Sequence, residues 1–144
     1  MDAKKWLAGT VVGGVVLWLL GMLIWQVLLS GFFTANAGGA IDLVREAPIY
    51  WAGILGTFAI AALVTTALGW AGSFSLSEGF RVGATVGFLL WFGVDFLHYA
   101  SLDRWNLTAT IADPILELIR TGIGGAVIAF VLARFSKGEE PSSG

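Results

Sequence analysis

"WLAGTVVGGVVLWLLGMLIWQVLLSGFF", residues 6–33, contains no charged side chain. A run of roughly 20 mostly apolar residues spans a hydrocarbon core about 30 Å thick, so this one is long enough to cross a bilayer. Backbone amides in lipid find partners only within a helix or a closed barrel, and an unbroken apolar run lacks the alternation of a barrel strand. The stretch therefore reads as a membrane helix. A cleaved leader ending at the small "ANA" of residues 35–37 is the competing reading. It is disfavoured by length, because a signal peptide has an apolar region of about 7–15 residues.

Three further apolar runs follow, at about residues 48–72, 79–102 and 113–135. The chain has 144 residues, of which 57% are hydrophobic and 12% charged, and its mean hydropathy is +0.83. This lies outside soluble composition. Four long apolar runs predict an all-α integral membrane four-helix bundle of up-down topology, made of two helical hairpins. The helices, at about residues 6–33, 48–72, 79–102 and 113–135, form one transmembrane domain over residues 1–135, and "SKGEEPSSG" at 136–144 is expected to be a disordered polar tail. The longest connection, "TANAGGAIDLVREA", is expected to hold a short interfacial turn from Ile41 to Glu46. Trp6, Trp25, Tyr50, Trp51 and Trp70 sit near span ends, where aromatic rings with one polar atom partition. Lys4, Lys5, Arg81, Arg134 and Lys137 fall on one side and Arg45 and Arg104 on the other. That bias places both termini in the cytoplasm, with a prokaryotic cytoplasmic membrane as the expected location.

A formal net charge of −2 and the absence of a basic block argue against nucleic-acid binding. Zero cysteines remove thiolate metal sites, iron–sulfur ligation and thiol nucleophiles. No GxSxG or HExxH pattern supplies an activated nucleophile or metal-bound water, so no enzymatic activity is expected. One histidine beside an arginine makes a poor metal site, and no metal or other cofactor is expected.

The residues that lipid burial does not explain lie in "DFLHYASLDRWNLTATIADPILELIR", residues 95–120. Asp95 and His98 share one helical face; Asp113, Glu117 and Arg120 share another. A turn centred near residues 106–108 brings Asp95 opposite Arg120 and His98 opposite Glu117, with Trp91 facing Gly124. A charge near the bilayer centre costs about 2.5–3.5 kcal/mol on insertion scales, so these groups are expected to face inward and to pair. Asp113, followed by Pro114, reads as the N-cap of the fourth helix. Tyr99 reads as part of the outer aromatic belt, and Gln26 as a member of the seam or of the interface.

Small residues recur at helical spacing: Gly9 and Gly13, then Gly79, Gly83 and Gly87, then Gly125, Ala129 and Ala133. They favour close packing within the chain, with a homo-oligomer or membrane-protein partner as their rarer use. Two functional readings follow. The leading one is a non-enzymatic accessory or structural subunit whose polar seam joins helices three and four. The alternative is a proton-linked or small-ligand binding or transport protein, using an outer-leaflet site of Asp95, His98, Glu117 and Arg120, with Asp113, Gln26 and Tyr99 as further members. His98 is the natural pH-responsive group. A cavity with unpaired carboxylates favours the second reading; closed, mutually satisfied pairs favour the first.

The segment "GFLLWFGVDFLHYASLDRWNLTATIADPILELIRTGIGGAVIAFVLARF" resembles the second hairpin of small prokaryotic four-helix membrane proteins grouped as domains of unknown function. The resemblance covers the C-terminal half. It implies the four-helix topology and carries no activity.

Overall fold

Asp2 opens the first helix, its carboxylate accepting the Lys5 amide at 2.9 Å. In a computed structural model, which describes residues 1–40 and 45–137, α1 runs Ala3–Gly21 and continues as a π-helical stretch, Met22–Leu28. Leu29 then leaves helical geometry, and a short α2 covers Ser30–Ala35. The first apolar run is thus not one uniform helix to Phe33. A π turn carries an extra residue and rotates the side chains that follow, and nothing in the residue pattern announces it. Next comes α3, Tyr50–Ala71, ending at Gly72 in the left-handed region, a conformation that glycine adopts without penalty. The α4 helix, Leu76–Ser101, is capped by the Ser75 hydroxyl, which accepts the Glu78 amide. The last helix, α5, spans Leu107–Lys137. Among the described residues the only extended pairing is a single bridge, Ala37 with Trp105.

Four helices are long and apolar enough to cross a membrane: Ala3–Leu28, Tyr50–Ala71, Leu76–Ser101 and Leu107–Ser136. Their outward faces carry large apolar side chains such as Leu19, Val27, Leu97 and Ile119. That surface suits lipid rather than water.

The fourth span begins at Leu107 rather than Asp113. Asn106 provides the cap: its side-chain oxygen accepts the Ala109 amide at 3.1 Å, and its carbonyl accepts the Thr110 amide. Asp113 and Pro114 consequently lie inside α5, correcting their assignment as cap and first-turn proline. A proline within a spanning helix leaves one carbonyl without its helical donor, which membrane helices tolerate when neighbours re-satisfy it. The turn expected from Ile41 to Glu46 falls largely on residues 41–44, and most of the polar tail on residues 138–144; both lie outside the described residues.

Close packing is set by small residues. Gly79 lies against Gly125 and Ala129, and Gly83 and Gly87 lie against Thr121. Gly9 meets Thr65 and Ile128, while Gly13 meets Ile128 and Ala61. Helix α4 packs chiefly on α5, α1 packs on both α3 and α5, and α5 is the most buried span. Around these approaches Val64, Leu68, Ile128, Ala129 and Leu132 form a fully buried apolar core near the chain termini. At the opposite end, residues 36–40 are bound to residues 103–106. The Gly38 and Ala40 amides donate to the Arg104 and Asp103 carbonyls at 2.7 Å each, and Asn106 Nδ2 donates to Asn36 Oδ1 at 2.8 Å.

Candidate functional site

The glycine stripe that seats α4 on α5 also decides where Asp95 points. Gly79, Gly83, Gly87 and Asp95 are all buried on α4, at steps that are multiples of four and therefore on one face. Because Gly83 and Gly87 lie against Thr121, the same antiparallel register brings Asp95 to Asp113, and the two carboxyl side chains adjoin. Two sequence expectations are corrected here. Arg120 does not pair with Asp95, and His98 does not pair with Glu117. The cause is the early start of α5, which slides its polar residues along α4.

Arg120 instead binds within its own helix and to α1. Its Nη1 donates to Glu117 Oε1 at 2.6 Å, and its Nε donates to the Leu17 carbonyl at 3.0 Å. Gly21 adjoins it, and a Cβ there would lie in ordinary contact with Arg120 Nε at 3.4 Å. The guanidinium carbon also stands 5.4 Å from the ring centre of Trp25, within cation–π range. Trp25, in the π-helical stretch, donates its indole N–H to Asp113 Oδ1 at 2.7 Å. A residue assigned by sequence to the membrane interface is therefore a direct partner of the polar cluster. A π-helical stretch often marks such a site, but it is visible only in the backbone.

Asp95, Asp113, Glu117 and Arg120 are at most 6% exposed. The three carboxyl groups lie near two guanidiniums, the buried Arg120 and the exposed Arg104, and the hydrogen bonding is incomplete. Asp95 Oδ2 and Glu117 Oε2 are buried without a donor, and the Trp91 indole N–H is buried without an acceptor. Unsatisfied buried polar atoms are uncommon in folded proteins and call for an explanation.

Beside the cluster lies a cavity of about 550 Å³. Asp113, Glu117 and Arg120 form its polar wall, with Gln26 and Arg104; Trp18, Trp25, Trp91 and Trp105 contribute aromatic surface, and Gly53, Gly56 and Thr57 of α3 line the other side. Residues 50–56 of α3 are exposed, whereas Thr57, Ala61, Val64, Thr65 and Leu68 are buried. This helix packs along its second half, while its first half is exposed and approaches α1 where Gly53 meets the Trp18 ring. The space beside that first half is the cavity.

Of the residues singled out from sequence, Asp95, Asp113, Glu117 and Arg120 come together, and Gln26 lines the adjoining space. His98 is half-buried with no side-chain hydrogen bond or ion pair among the described residues, and Tyr99 is exposed on the outer surface. The four tryptophans and Arg104 were not marked as site residues by their spacing; the excess of tryptophan in so short a chain was the available signal. No group of three or more His, Cys, Asp or Glu side chains among the described residues is placed to hold a metal ion. No family model, curated protein or solved structure matches the chain.

Proposed function

We propose that the chain is a small non-enzymatic membrane protein that binds, or carries with proton coupling, a small ligand at the Asp95, Asp113, Glu117 and Arg120 cluster. The observation that carries this reading is the incomplete pairing of a buried cluster: Asp95 Oδ2 and Glu117 Oε2 lack donors beside an open volume, while Arg120 is committed to Glu117 Oε1 and the Leu17 carbonyl. A purely structural ion pair gains stability only when its remaining lone pairs are satisfied. Carboxyl oxygens left open in such a place are retained for a counter-charge that comes and goes, a proton or a cation.

The arrangement we propose is an up-down four-helix bundle in a prokaryotic cytoplasmic membrane. Lys4, Lys5, Arg81 and Arg134 all belong to the end that carries the termini, which supports a cytoplasmic position for that end. An accessory or structural subunit is the competing function. Its docking surface would be the glycine stripes, and these are occupied by contacts within the chain.

The test needs no ligand. Asp113→Asn keeps an acceptor for Trp25 while removing one negative charge. In detergent-purified protein, its midpoint of thermal unfolding is expected to equal or exceed that of the unaltered chain, because a site held ready for a ligand trades stability for function. A fall as large as that caused by Arg120→Ala would show a closed structural network and end this proposal.

A further inference from the structure

The chemistry of the cavity wall narrows the ligand class, and the inference rests on the site being a ligand site. Several classes fit poorly. An anion would meet Asp113 and Glu117, while of the two guanidiniums in the wall Arg120 is already held by Glu117 Oε1 and the Leu17 carbonyl and Arg104 lies over the Trp105 ring. A bare metal ion has no three-residue acidic or histidine cluster among the described residues, and the aromatic walls offer it no oxygen. A neutral apolar molecule would leave Glu117 Oε2 unsatisfied in a drier site. Such a group is costly to bury without a partner.

We infer that the cavity takes a lipophilic organic cation, its positive centre against Asp113 and Glu117 and its apolar groups against the rings of Trp18 and Trp91, since Arg120 stands over Trp25 and Arg104 over Trp105. Tryptophan is the strongest of the aromatic side chains at attracting a cation over its ring face, and the attraction grows when water is excluded. A volume of about 550 Å³ falls within the range of about 300–1,000 Å³ that encloses drug-sized molecules. The route of entry is consistent with a ligand drawn from the bilayer: Gly53 and Gly56 line the cavity on the exposed first half of α3. A Cβ at Gly56 would meet nothing within 4 Å, so this helix position is open. The charged groups around the site are Asp95 from α4, Asp113, Glu117 and Arg120 from α5, and Arg104 from the intervening turn, and the carboxyls alone supply the charge that meets a cation. With two oxygens lacking donors among them, the cluster offers an arriving cation acceptors that nothing else in the described residues engages.

The probe is tetraphenylphosphonium, and its control is tetraphenylborate, which has the same shape and the opposite charge. With the full chain purified in a neutral maltoside detergent, equilibrium dialysis is expected to show saturable binding of the cation alone. Asp113→Asn is expected to weaken binding by about tenfold or more, the effect of removing roughly 1.4 kcal/mol of attraction. Gly56→Leu, which fills the cavity from a position with free space, is expected to abolish binding while thermal stability holds, since leucine favours a helix over glycine. Equal binding of both ions, or binding of the cation unaffected by Gly56→Leu, would overturn the inference. Absence of cation binding together with a stable Asp113→Asn would overturn the ligand class alone; a destabilised Asp113→Asn would remove the site as well. Competition by a phosphocholine detergent distinguishes a lipid headgroup from a free cation as the source of the positive charge.

Discussion

The two ends of the helix assembly solve the problem of lipid burial in opposite ways. Near the termini, helices meet through glycine, alanine and threonine, and Val64, Leu68, Ile128 and Leu132 are completely buried among them. At the other end the first half of α3 is exposed, α1 passes into a π-helical stretch, and the space holds four ionisable groups and a tryptophan-lined cavity. The first arrangement maximises contact and leaves little to change. The second is held at its rim, where Asn36, Gly38 and Ala40 bind residues 103–106, and is loosely filled behind it. Stability and function are separated along the length of the same helices, as expected where function draws on the less tightly packed parts of a fold.

The largest effect is expected from breaking the buried ion pair of Arg120 and Glu117 in the open end. Arg120→Ala leaves Glu117 buried without its cation, a change that costs about 3–5 kcal/mol in comparable buried pairs. Combining it with Glu117→Gln removes the orphaned charge and is expected to recover most of that loss. Unfolding of both variants in detergent measures it; a double variant no better than Arg120→Ala would mean that the arginine matters through its bond to Leu17 and not through charge. The packed end is expected to respond through volume. A side chain at Gly83 would run into the Thr121 carbonyl of α5, so Gly83→Val is expected to cost about 1–3 kcal/mol by overpacking. Ligand binding by the surviving folded fraction should be intact. If Gly83→Val instead altered binding and left stability alone, the separation of the two ends would be wrong.

Much of the architecture was legible because lipid admits few alternatives. Length and apolarity located four spans, and glycine spacing marked the faces that meet. The segment holding the polar cluster was also legible, since Asp95, Asp113, Glu117 and Arg120 have no other reason to lie in apolar surroundings. Their partners were not. Register depends on where α5 begins, and two caps competed: Asp113 before Pro114, and Asn106 at the end of the turn. Asn106 prevails because its carbonyl and side chain both serve the first turn while its amide groups bind Asn36. Contacts between distant segments decided that choice, and local pattern could not. Trp25 was misread for a related reason. Its position near a span end is the same for an interface anchor as for a partner of Asp113, and the π-helical backbone that distinguishes them leaves no trace in composition.

His98 provides the smallest and most discriminating contrast between the two registers. Had α5 begun at Asp113, His98 would face Glu117 and its loss would strand a buried carboxylate. With α5 starting at Leu107, His98 has no side-chain partner among the described residues, and Glu117 belongs to Arg120. His98→Gln is therefore expected to change stability by less than about 0.5 kcal/mol, as for surface substitutions away from special features. A cycle with Glu117→Gln makes the comparison sharper: sites without shared partners add to within about 0.3–0.5 kcal/mol, whereas contacting residues show coupling of about 0.5–3 kcal/mol. Additive changes in unfolding free energy support the register in which Asp95 meets Asp113. Coupling at the upper end of that range would restore His98 to the site and move Asp95 away from Asp113, because one slide of α5 along α4 sets both.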